Sequence, residues 1–223
     1  MLTRTVADAE SAAREAASFV EVTAAEAIAE RGAFNFAVSG GKTPWKMLEA
    51  LADGKMDWSK TSLFQVDERL APTGSPERNL THLVLSLPLV CQAAIRPMPV
   101  GADDLETAAS NYDYLLPERF DLVHLGLGPD GHTASLIPND AVLDVSDRAV
   151  ALTAGQYQGT RRMTLTYPPI DRARKLLFLV TGEGKEDALG RLLAGDESIP
   201  AGRIRNTNMF TVTDVELGGG ATA

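Results

Sequence analysis

Asp130 and His132 stand two residues apart in the segment Gly126-Leu-Gly-Pro-Asp-Gly-His-Thr-Ala-Ser-Leu-Ile-Pro138, directly after an apolar run that includes Leu122, Val123, Leu125 and Leu127. Imidazole titrates near neutral pH, so His132 can take a proton from water and return it, and a carboxylate two residues away can fix its tautomer or raise its basicity. Two further segments carry charge at the ends of apolar runs. Asp67-Glu68-Arg69 follows Ser62–Val66; there Asp67 can orient hydroxyls or a water, and Arg69 can oppose a developing oxyanion. Ser39-Gly40-Gly41-Lys42-Thr43-Pro44 follows the alternating Phe34, Phe36 and Val38. Its glycines let backbone amides approach a ligand, and the helix that Thr43-Pro44 opens favours an anion at its N-terminus. A fourth segment, Thr181-Gly182-Glu183-Gly184-Lys185, puts a lysine at the start of a helix after the apolar Lys175–Val180, a favourable place to hold phosphate.

Three tempting motifs fail. A phosphate-binding Walker loop ending at Gly41-Lys42-Thr43 requires glycine at position 36, which is Phe36. A serine-hydrolase elbow around Ser39 requires glycine at position 37, which is Ala37. Gly126, Gly128 and Gly131 match the dinucleotide fingerprint, but Pro129 stiffens the turn and Pro138 comes too soon for the long helix such a fingerprint opens. His82, with apolar neighbours in a helix, and His124, inside a strand, read as structural.

The elements that must position these residues alternate along the chain. Residues 5–31 have helical apolar spacing, with Gly32 as C-cap; helices are also expected from Thr43, from near Asn79, over 104–116 and from Lys185 to about Ala194. Strands are expected at 34–38, 62–66, 95–100 (an edge, because of Pro97 and Pro99), 120–127, 149–153, 162–167, 175–180 and 209–212. This alternation predicts an α/β fold: one domain over 1–223, with a mostly parallel open sheet, helices on both faces and a disordered tail at 218–223. Parallel strands would bring all four charged segments to one edge of the sheet, where such folds bind ligands.

Composition narrows the partners. A net charge of -9 argues against nucleic acid, whose binding needs a basic footprint. The one cysteine, Cys91, allows no intrachain disulfide and suggests no zinc site, and no apolar run has membrane-spanning length. With no basic-then-apolar signal pattern at the N-terminus, a cytoplasmic protein acting on a small anionic molecule is expected.

Taken in order, the quoted segments, together with Glu77-Arg-Asn79 and Arg162-Met-Thr-Leu-Thr166, resemble the glucosamine-6-phosphate isomerase/6-phosphogluconolactonase superfamily, and the lactonase branch more closely than the deaminases. The deaminases usually carry a glutamate where this chain has Ile137, and an aromatic residue where it has Arg69. The resemblance implies a modified Rossmann-like sheet, no organic cofactor, no metal, and hydrolysis of 6-phospho-D-glucono-1,5-lactone to 6-phospho-D-gluconate. The expected catalytic set is His132, Arg69, Asp67 and Asp130. The expected substrate-binding set is Ser39, Gly40, Gly41, Lys42, Thr43, Gly131, Arg162 and Lys185. Alternatives are an amino-sugar-phosphate deaminase, a non-catalytic sugar-phosphate sensor, a nicotinamide oxidoreductase and a serine esterase using Ser39.

Overall fold

The computed structural model describes residues 2–92 and 94–217. In chain order the elements are β1 (Leu2–Thr5), α1 (Ala9–Arg31), β2 (Phe34–Val38), α2 (Lys42–Ala52), β3 (Thr61–Gln65), β4 (Asp67–Arg69), α3 (Asn79–Leu85), α4 (Leu89–Gln92) and β5 (Ile95–Arg96). They continue with α5 (Leu105–Leu115), β6 (Leu122–Leu125), β7 (Val150–Leu152), β8 (Arg162–Leu165), α6 (Tyr167–Arg172), β9 (Lys175–Val180), α7 (Glu186–Leu193) and β10 (Met209–Thr213). Seven strands form one parallel sheet in the order β1-β10-β9-β6-β2-β3-β5.

The sheet is apolar on both faces because both are covered. Phe34, Phe36, Leu63, Leu122 and Leu177 pack beneath α1 to α4. The alternate residues Ala37, Phe64, Val123, Leu125 and Phe178 pack against α5 to α7. Helix α1 lies close because its buried stripe is mostly alanine (Ala12, Ala13, Ala16, Ala17, Ala24, Ala27). Asp8 caps its N-terminus by accepting from the Ser11 amide, and Gly32 ends it in the left-handed conformation.

From β2 the chain steps outward to β3 and β5, then returns to place β6 on the other side of β2. The strand order therefore reverses between β2 and β6, which opens a crevice beyond their carboxyl ends. Ser39, Gly126, the residues after Gln65 and Thr181 leave four adjacent strands (β2, β6, β3, β9) at that one edge.

The expected parallel sheet with helices on both faces is present; the short helices α4 and α6 were not expected, and three further differences concern strands. Residues 2–5 form an edge strand that the helical reading from residue 5 missed; all four are exposed and paired only with β10, so no alternation marks them. The expected edge strand over 95–100 is two residues long, because Pro97 and Pro99 cannot continue the ladder. The strands near 149–153 and 162–167 do not join the main sheet but form a second, antiparallel sheet with Asp67–Arg69, in the order β4-β8-β7. The tail expected at 218–223 lies outside the described residues. No helix among the described residues is long and apolar enough to cross a membrane.

Candidate active site

The glycine turn after β6 folds the Asp130–His132 segment back on itself. The Gly128 amide donates to the His132 carbonyl (2.8 Å), and the His132 amide donates to Asp130 Oδ1 (3.2 Å). This brings His132 Nδ1 to 2.5 Å from the same carboxylate oxygen. The pair lies so close to the Gly128 backbone that a Cβ there would sit 2.0 Å from Nδ1, so only glycine fits. Burial works to raise the Asp130 carboxyl, but the hydrogen bonds and charge of His132, with a further bond from Tyr157, outweigh it and hold the group below its ordinary value. Because Nδ1 faces Asp130, Nε2 is the nitrogen left for a substrate, and the His132 side chain keeps 22 % of its surface exposed.

His132 lines a cavity of about 160 Å3 with Asp67, Arg69, Asn79, Tyr157 and Arg162. The two arginines reach it from facing strands, since Arg69 and Arg162 are register partners across the β4–β8 pair. Like charges directly opposite one another destabilise a sheet. Burial, with the charge of Arg69 beside it, pulls Arg162 below the usual guanidinium range against the opposing pull of Asp67. Such a pair favours an anion between its members. Arg162 Nη2 donates to the Tyr157 carbonyl (3.0 Å) and Arg69 Nη1 to that of Glu77 (2.6 Å), which fixes both groups. Asp67 stands among three partners: Ser135 Oγ donates to it (2.7 Å), Asn79 Nδ2 donates to it (3.3 Å), and Arg162 lies at 3.9 Å. Ala134 and Gln158, also on the cavity wall, hold φ at +52°, backbone strain of the kind that gathers at functional sites.

Glu68 keeps this arrangement in place. It is fully buried and accepts from the amides of Arg69, Asn79 and Leu80 and from Gln65 Nε2, with Arg78 at 3.4 Å. It thus satisfies the first amides of α3 and ties that helix to β4. Asn79 in turn packs so tightly on the Ser39 turn that a Cβ on Gly40 would meet its Oδ1 at 2.1 Å.

A second cavity of about 520 Å3 shares Gly40, Gly126 and Leu127 with the first. Its walls include Gly41, Lys42 and Thr43 at the N-terminus of α2, Thr181 and Gly182 after β9, and Lys185. Thr43 and Thr181 join hydroxyls at 2.7 Å, linking the two turns. Lys185 Nζ donates to the Leu127 carbonyl (2.7 Å), and burial lowers its pKa against the pull of Asp130. Beneath the Ser39 turn lies His124, fully buried, its Nδ1 accepting from the Ser39 amide (3.3 Å).

Three of the four residues expected to be catalytic, Asp67, Arg69 and His132, therefore share the first cavity with Ser39, Gly40 and Arg162, while Asp130 does not line it and meets it only through its hydrogen bond to His132. Gly41, Lys42, Thr43 and Lys185 line the second. Gly131 lines neither and abuts Ile199. Arg162, at a strand's start, reaches the site because β8 runs antiparallel to β4. Sequence reasoning passed over Asn79, Ser135 and Tyr157 as site residues. Tyr157 had a signal, since it is the aromatic residue of the Gly/Gln-rich segment between β7 and β8. Among the described residues, no group of three or more His, Cys, Asp or Glu side chains is placed to hold a metal ion.

A carboxylate-paired imidazole, two facing arginines and two glycine turns meet at the switch point of a parallel sheet, where folds of this class bind small ligands. The chain belongs to the family described as glucosamine-6-phosphate isomerases/6-phosphogluconolactonase, whose profile matches residues 7–213. It is 42% identical over 182 residues to a 6-phosphogluconolactonase of Synechocystis sp., covering 76% of this chain and 75% of that protein. It is 37% identical over 186 residues to the GDH/6PGL endoplasmic bifunctional protein of Oryctolagus cuniculus, 77% of this chain but 23% of that one. In fold it is similar to the crystal structure of a 6-phosphogluconolactonase from Shewanella baltica, with a TM-score of 0.84 at 23% identity over 96% of this chain and 97% of that one.

Proposed function

We propose that this chain, as one catalytic domain, hydrolyses 6-phospho-D-glucono-1,5-lactone to 6-phospho-D-gluconate. The observation that carries the reading is the adjacency of the two cavities. The first holds a carboxylate-oriented imidazole and two facing arginines; the second holds a helix N-terminus and Lys185. A substrate with a phosphate at one end and an activated ester at the other matches that division.

The phosphate sits against the Gly41–Thr43 amides, with Lys185 as counter-charge. The ring then crosses the shared wall of Gly40, Gly126 and Leu127 and presents C1 to His132. Nε2 of His132 takes a proton from water as the water oxygen bonds to C1. Arg69 and Arg162 offset the charge that develops on the carbonyl oxygen. When the bond from C1 to the ring oxygen breaks, that oxygen receives the proton from Nε2; the new carboxylic acid releases its remaining proton to solvent, and the resulting carboxylate lies between the arginines. Asp130 holds the imidazole tautomer, while Asp67 orients Asn79, Ser135 and the substrate hydroxyls. The lactonase reading is preferred to deamination because Ile137, buried and apolar, has no proton to relay.

The test is the rate of lactone loss with 6-phosphogluconolactone generated in situ and unphosphorylated gluconolactone in parallel. Acceleration well above the spontaneous rate, confined to the phosphorylated lactone, is expected. A rate equal to the spontaneous one removes the lactonase reading, and ammonia release from glucosamine-6-phosphate then reads out the deaminase alternative.

A further inference from the structure

Tyr157 lies far from the glycine–histidine turn in sequence yet touches every part of it that matters. Its hydroxyl donates to Asp130 Oδ2 (3.1 Å), the carboxylate oxygen opposite the one that faces His132, and lies 3.3 Å from His132 Nδ1. Its ring stands edge-on to the imidazole at a centroid distance of 5.0 Å. The Arg162 guanidinium lies over the same ring at 5.7 Å and donates to the Tyr157 carbonyl. The segment that carries Tyr157 is itself fixed. Asp140 accepts from the Ala154 and Gly155 amides (3.0 and 2.9 Å), and the Tyr157 amide donates to the Thr160 carbonyl (2.9 Å).

The geometry points to Tyr157 as a positioning residue, whose hydroxyl clamps the outer oxygen of Asp130 so that the inner one stays on His132 Nδ1. With one carboxylate oxygen held by a hydroxyl and the other by the imidazole, the carboxylate plane cannot rotate, and Nε2 keeps a fixed aim into the cavity. Burial, then the Asp130 charge, raise the Tyr157 phenol above its ordinary value, so it remains a donor throughout the working range. The other charged groups facing the cluster are Lys185 from the start of α7, Arg162 from β8, and Arg69 and Asp67 from β4.

This inference rests on the reading of His132 as general base, and the experiment separates the two. Tyr157→Phe deletes the hydroxyl while keeping the ring and the carbonyl that holds Arg162. Losing one hydrogen bond to a charged group lowers kcat for lactone hydrolysis about tenfold, with KM unchanged within about twofold. Without the hydroxyl on its outer oxygen Asp130 becomes more basic and holds the Nδ1 proton more tightly, so the acid limb of the pH–rate profile moves to higher pH, by up to about one unit. Wild-type kcat with an unmoved acid limb overturns the assignment. So does a lower kcat with an unmoved acid limb, which marks a merely structural side chain. His132→Ala is assayed in parallel: full turnover in that variant defeats the general-base reading itself, whereas its loss with a wild-type Tyr157→Phe defeats only the positioning role.

Discussion

At the scale of single residues, the proposed mechanism divides chemistry from recognition between neighbouring cavities, and the division is testable. His132 lies in the cavity with the two arginines, while Lys185 lies in the neighbouring one. A general base typically contributes ~10²–10⁴-fold, so His132→Ala is expected to lower kcat by at least ~10²-fold with little change in KM, measured by continuous lactone consumption. In the proposed placement Lys185 contacts the far end of the substrate in the same way in ground and transition states. Its loss should therefore raise KM about tenfold or more, the weight of a charge-assisted contact, and leave kcat nearly unchanged. If Lys185→Ala instead lowers kcat at unchanged KM, the phosphate does not sit on the α2 turn. The placement of both residues at the sheet edge was legible in the sequence from their positions after apolar runs. Tyr157 and Ser135 were not, because each acts through a partner more than 20 residues away (Asp130 and Asp67) that only the fold brings within hydrogen-bond distance.

At the scale of elements, the turn after β6 matters more than its hydrogen bonds alone suggest. Gly128 was read from sequence as part of a motif that resembles a dinucleotide fingerprint; its structural duty is to leave room for the Asp130–His132 pair. Gly128→Ala drives a methyl into the imidazole and displaces it by an ångström or so, a misplacement that costs about 10²-fold in rate. The change is confined to one turn between β6 and the rest of the chain, so the circular dichroism spectrum should stay native while kcat falls. Wild-type kcat in a folded Gly128→Ala variant would show that the pair tolerates movement. The short strand Asp67–Arg69 shows why part of the element map was hidden. Three consecutive charges read as a loop, and the strand exists because β8, almost a hundred residues later, pairs with it and Glu68 turns inward to bind the first amides of α3. Strand β1 was hidden for the opposite reason: it has no buried face to produce a pattern. By contrast β2, β6 and β9 bury both faces, and their apolar runs stand out in the sequence.

At the scale of the molecule, the reversal of strand order between β2 and β6 forces two turns to share one crevice, and the buried His124 links that architecture to stability. It lies in the strand whose turn carries His132 and accepts from the Ser39 amide at the start of the turn before α2, so it ties those two turns together from below. Accepting through Nδ1 requires the neutral imidazole, with its proton on Nε2. Burial pushes the pKa of His124 down from 6.5 to about 3. In the unfolded chain the same imidazole protonates at its ordinary value, so below that pH the unfolded state binds a proton that the folded state refuses. A depressed folded pKa means that this stability is fully present above 6.5 and is lost as pH falls toward 3. Well inside that window the loss amounts to about 1.4 kcal/mol per pH unit for one proton. Urea unfolding of the wild type and His124→Gln, which keeps an acceptor for the Ser39 amide but cannot titrate, measures the effect between about pH 7 and about pH 4.5. The wild-type stability should fall more steeply by about one proton, whatever the offset between the two proteins at neutral pH. Parallel curves would mean that His124 accepts its proton inside the fold, and the Ser39 amide would then lose its acceptor in acid before the molecule unfolds.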